Sequence, residues 1–176
     1  MTTPEQRLVP TATGRPELLN VYLNDHLAAG AGVVALARRT AEAHRGTAGA
    51  RDLAELMAQL VEDRQTLIAI MAQLDVPRTR YKEPLAMVAE RLGRIKPNGS
   101  LFHRSPLSSV VEVEALALGV TASRSVWRTL QQLSATRPGL DPDQLDELIG
   151  SAERQLALLA RLTEAAVREA LTASPA

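Results

Sequence analysis

The stretch Val76–Ser105, VPRTRYKEPLAMVAERLGRIKPNGSLFHRS, decides how this chain folds. It separates two long helical patterns. A short link makes neighbouring helices antiparallel, whereas about 30 residues can run the length of a bundle and set the flanking helices parallel. Within the stretch, Leu85, Val88, Leu92 and Ile95 recur at helical spacing after Glu83-Pro84. That pattern predicts a short amphipathic helix over about 84–96.

On either side the helix signals are regular. Proline opens a helix in Arg15-Pro16, Ser105-Pro106 and Asp141-Pro142, where its missing N–H costs nothing. Asp141 and Gln144 have capping-box spacing, as do Asp52 and Glu55. Stops stand at Gly46, Pro77 and Pro138-Gly139. These marks predict helices over about 16–45, 50–75, 106–136 and 142–172. Each carries an apolar stripe, such as Leu53, Leu56, Leu60 and Leu67 in the second. Short links around 46–49 and 137–141 make two antiparallel hairpins, joined by the long crossover. The expected fold is an all-α four-helix bundle forming one domain over 16–172, with tails at 1–15 and 173–176.

Composition narrows the function. The chain has 176 residues, with 20 basic and 20 acidic side chains, no cysteine, and Tyr22, Tyr81, Phe102 and Trp127 as its aromatics. Zero net charge and so few aromatics argue against nucleic-acid binding. The lack of cysteine removes thiolate metal sites, disulfides and a cysteine nucleophile. The start of the chain has no apolar signal region, and the longest uncharged run, Leu27–Ala37, is too short to span a bilayer. No integral membrane association and a cytoplasmic location are expected.

The segments Leu18-Leu19-Asn20-Val21-Tyr22-Leu23-Asn24-Asp25-His26 and Val61-Glu62-Asp63-Arg64 resemble the first hairpin of small ferritin-like proteins. With the crossover topology, the resemblance extends over about 16–172. It implies a ferritin-like bundle. Metal-binding members of that superfamily hold two iron or manganese ions with one Glu from each of two helices and a Glu-x-x-His from each of the others. None of the thirteen Glu residues here begins a Glu-x-x-His. The expectation is a bundle of that shape without its dinuclear cofactor. It would be non-catalytic and act through protein contacts, as a homodimer or other homo-oligomer or with another protein.

A polar layer crosses the middle of the four patterns. His26 shares the seam of the first helix with Leu19, Leu23, Gly30, Val33 and Ala37. Glu62-Asp63-Arg64 interrupts the second helix, Glu112 and Glu114 the third, and Glu153 and Gln155 the fourth. One reading is a mononuclear site, in an oxidoreductase or metal carrier, with His26, Glu62 or Asp63, Glu114 and Glu153 on iron or manganese. The reading favoured on charge grounds is a layer that fixes helix register, its acids neutralised by Arg64 and Arg154.

Gly30-Ala31-Gly32-Val33-Val34-Ala35 matches a dinucleotide-binding pattern, but it lies inside a helix with no strand before it. Helical glycines cost about 1 kcal/mol each relative to alanine, so Gly30 and Gly32 point to close packing or to space for a small apolar ligand. Ser100, His103 and Ser105 read as turn and cap residues, and Trp127 as core. In the crossover, Arg78, Arg80, Lys82, Arg91, Arg94, Lys96 and Arg104 stand against Glu83 and Glu90, a net charge of +5. This basic face suits an acidic partner, a phosphate-bearing ligand or a membrane surface. The plainer reading is a solvated connector.

Overall fold

The computed structural model describes residues 15–79 and 106–172. The two tails, the crossover helix expected over 84–96, and the basic residues Arg80, Lys82, Arg91, Arg94 and Lys96 lie outside the described residues. Among the described residues the chain is helical and contains no strand.

The described residues form four long helices: α1 (Pro16–Ala43), α2 (Ala50–Gln73), α3 (Pro106–Ser134) and α4 (Pro142–Val167), with a π-helical turn at Arg168–Thr172. Three of them start at the prolines that mark them in the sequence. The α4 cap forms, but Asp141 accepts from the Asp143 amide at 3.0 Å, one residue short of the box expected with Gln144. Helix α2 begins at Ala50, as its sequence marks predict, but Asp52 is not its cap. Gly49 is its N-cap, without a side-chain bond, and Asp52 falls in the first turn. There its carboxylate faces the positive end of the helix dipole instead of capping.

The stops follow backbone rules. Gly46 takes a left-handed φ of 84° just after α1, where glycine carries no Cβ penalty. After α2 the left-handed residue is Asp75, with φ of 53°. The Val76 amide donates to the Met71 carbonyl at 2.9 Å and the Asp75 amide to Ala72 at 3.2 Å. These two bonds make a Schellman closure, and Val76 packs on the core beside it.

Contacts between helices give their directions. Tyr22 bonds Thr129, Thr40 bonds Glu112, and Val33 lies against Gly119. As the α1 number rises the α3 number falls, so α1 and α3 are antiparallel. Arg128 with Glu153 and Gln131 with Asp146 show the same for α3 and α4. Helices α1 and α2 pair across the short link at 44–49. It follows that α2 and α3 run parallel. The chain leaves α2 at one end of the bundle and starts α3 at the other.

Asn24 fixes the departure point. It is only 2% exposed, and it accepts from the Thr79 amide at 2.7 Å while donating to the Pro77 carbonyl at 3.0 Å. One buried amide thus holds the residues after α2 against α1, and buried polar atoms of this kind persist when paired.

The core is a set of heptad seams. On α2 it runs Leu53, Leu56, Leu60, Asp63, Leu67, Ile70; on α4 it runs Leu145, Ala152, Gln155, Leu159 and Ala166. Spacings of three and four keep one stripe facing the partner helices. Close approach occurs at Gly119, not at Gly30. A Cβ on Gly119 would stand 2.5 Å from Val33 Cγ2, whereas one on Gly30 would meet nothing within 4 Å.

Gly119→Ala is therefore expected to destabilise the fold by about 1–2 kcal/mol. Overpacking costs about 1–3 kcal/mol, and the helix-propensity gain of about 1 kcal/mol only partly offsets it. In a Val33→Ala background the same change should stabilise. Urea unfolding of the four proteins checks this; a stabilising Gly119→Ala in the parent would contradict the packing.

Candidate functional site

Where the seams lose their large apolar side chains, a cleft opens between α1, α2 and α3. At this level α1 contributes His26 and Gly30, α2 contributes Asp63 and Arg64, and α3 contributes Gly119, Ser123 and Trp127. Leu27, Val34, Leu60, Leu67 and Val126 complete an apolar wall. The cavity measures about 70 Å³ and opens on one side, where the empty space reaches about 560 Å³ with the solvent at its mouth included. The cavity is about half the roughly 150 Å³ of an engineered cavity that holds benzene.

Asp63 occupies the α2 seam and is 9% exposed. Its Oδ2 accepts from Gln155 Nε2, on the α4 seam, at 2.9 Å. Burial pushes the Asp63 carboxyl above its ordinary pKa, the Gln155 bond opposes that shift, and the neighbouring Glu62 charge adds to it. His26 is half-buried, with its ring 4.5 Å from that of Tyr22. Burial lowers its pKa, against the pull of Asp25, so the imidazole is biased toward its neutral form.

Among the described residues, three buried polar atoms have no hydrogen-bond partner in the protein: Arg64 Nε, Trp127 Nε1 and Gln155 Oε1. Two of these are donors on residues that line the cleft. A buried polar group left unpaired costs about 1–3 kcal/mol, so such atoms cluster where a fold serves something besides stability.

The residues of the alternative metal site come together only in part. His26 and Asp63 line the cleft, while Glu62, Glu114 and Glu153 are exposed. Among the described residues, no three His, Asp or Glu side chains are grouped to hold an ion. The reason is helical phase. On α2 the inward position belongs to Asp63, the next residue along, and on α4 to Gln155. The expected neutralisation is also different. Glu153 pairs with Arg128 at 3.2 Å on the surface, Arg154 is exposed, and Asp63 is held by an amide. Of the basic face, Arg78 is described and is exposed.

Sequence reasoning missed the Asp63–Gln155 pair, although the signal was there. Leu60-x-x-Asp63-x-x-x-Leu67 and Ala152-x-x-Gln155-x-x-x-Leu159 each put a polar residue on a seam. It also missed Asn24, whose partners lie 53 and 55 residues away.

The pair has a pH signature. A carboxyl whose folded pKa is raised binds its proton more tightly in the fold, so its contribution declines as pH rises from the ordinary carboxylate range through the raised value. Asp63→Asn keeps an acceptor for Gln155 and removes that decline. Its stability relative to the parent should improve from about pH 4 to about pH 7. Asp63→Ala strands Gln155 and should cost about 1–3 kcal/mol. Urea unfolding at both pH values checks the pair; a parallel pH dependence in Asp63→Asn and the parent would contradict it.

No protein-family model, curated protein or solved structure matches this chain, so its functional reading rests on the cleft itself.

Proposed function

We propose that this chain is a non-catalytic helical bundle with ferritin-like connectivity, and that it binds a small, largely apolar molecule in the cleft between α1, α2 and α3. The connectivity is supported by the antiparallel α1–α3 contacts, which leave α2 and α3 parallel across the long link. The observation that carries the binding reading is Gly30. A helical glycine costs about 1 kcal/mol, yet no packed neighbour requires it, because a Cβ there would meet nothing within 4 Å. What the missing side chain leaves is space in an apolar wall. Small-molecule sites are concave, mostly apolar and equipped with a few polar groups, and the cleft has those properties. The mononuclear metal reading has less support, because beside His26 and Asp63 it needs the exposed Glu114 and Glu153 turned inward.

Trp127 makes binding measurable. It is the single tryptophan, is 2% exposed, and lines the cleft. Titration with hexan-1-ol should change its fluorescence saturably. Gly30→Leu fills the cleft and should abolish that change while the protein stays folded. An unsaturable response, or one that Gly30→Leu leaves intact, would contradict the proposal.

A second reading, contact with another protein or a second copy, is favoured by Leu107 and Leu118. They are 45% and 73% exposed and stand eleven residues apart on α3, about three turns and so on one side of the helix. Light-scattering mass tests it: a dimer that Leu118→Glu dissociates supports this reading, and a monomer at all concentrations counts against self-association.

A further inference from the structure

We infer that the ligand of the cleft carries a carboxylate, received by Arg64 and Trp127. This rests on the binding reading above and names the chemistry of the ligand's polar end. The argument begins with the unpaired donors. Trp127 is 2% exposed and its indole N–H has no acceptor among the described residues. Arg64 Nε is buried without an acceptor, and no ion pair or hydrogen bond joins Arg64 to another described residue. Both side chains line the same cleft, from α2 and α3 respectively.

Arg64 is half-buried with its Nε–H enclosed and unpaired, and a carboxylate there makes charge-assisted bonds stronger than those of a neutral acceptor. The other ionisable groups of the cleft leave the position to a ligand. His26 is biased toward neutrality and offers no competing cation. Asp63 is held from α4 by Gln155, and its burial favours the uncharged carboxyl. Asp25 and Glu62, the charges that act on His26 and Asp63, belong to exposed residues. Apart from Ser123 the remaining wall is apolar, and the cavity is small. The ligand class that fits is therefore a short-chain monocarboxylate, with its head at the two donors and its chain along Leu60, Leu67 and Val126.

Calorimetric titration with hexanoate, hexan-1-ol and hexylammonium at neutral pH tests the inference. Hexanoate should bind about tenfold or more tightly than the alcohol, and hexylammonium should not bind. Arg64→Met, which keeps the bulk of the side chain, should bring hexanoate down to the affinity of the alcohol. Trp127→Phe should weaken hexanoate severalfold. Equal affinity of acid and alcohol, or a preference that survives Arg64→Met in a folded protein, overturns the carboxylate assignment while the cleft reading stands. Binding of neither compound overturns both.

Discussion

At the centre of the α1–α3 face, the side chain of Val33 occupies the place where residue 119 would otherwise carry a Cβ. Much of the bundle depends on that contact. It lets two helices approach at one point and locks their antiparallel register, with Tyr22–Thr129 on one side and Thr40–Glu112 on the other. Because α1 is also antiparallel to α2, the contact fixes α2 and α3 as a parallel pair. The link between them must then join opposite ends of the bundle, and Asn24 holds its first residues in place.

The cleft lies beside this contact for a related reason. A bundle seam stays closed when each layer is filled by large apolar side chains. Here one level carries Gly30 on α1, Asp63 on α2, Ser123 on α3 and Gln155 on α4. Gly119 brings α1 and α3 together at Val33, but the neighbouring layer lacks the volume to fill the space toward α2. The Asp63–Gln155 bond ties α2 to α4 across that level, which keeps the cleft's back wall in register. Two buried donors and one buried acceptor stay unpaired there, a stability cost that is consistent with a binding role.

The fold was legible where local chemistry decides it. Prolines at the first helical position mark Pro16, Pro106 and Pro142, and helix ends fall within a few residues of the glycine and proline signals. Asp52 and Glu55 mark the start of α2 to within a few residues, but capping-box spacing does not say whether Asp52 caps the helix or lies in its first turn. The site was less legible. Weighing Glu62, Glu114 and Glu153 as ligands gave chemistry priority over phase, while one residue along the helix is a 100° turn that exchanges core for solvent. Heptad position points instead to Asp63 and Gln155. The Gly30 pattern announces missing side chains, yet close packing and open space look alike in a sequence. Only the position of α3 shows that Gly119 serves the first and Gly30 the second.

The central claim is that the cleft beside Gly119 receives a ligand on the Trp127 indole N–H and the Arg64 guanidinium. The most direct measurement is the single indole N–H resonance in a proton–nitrogen correlation spectrum during addition of hexanoate. The account predicts a saturable downfield shift of that resonance, which needs about tenfold or more hexanoate in Arg64→Met and is absent with hexylammonium. An indole resonance that stays in place while hexanoate binds, or that moves equally in Arg64→Met, would contradict it.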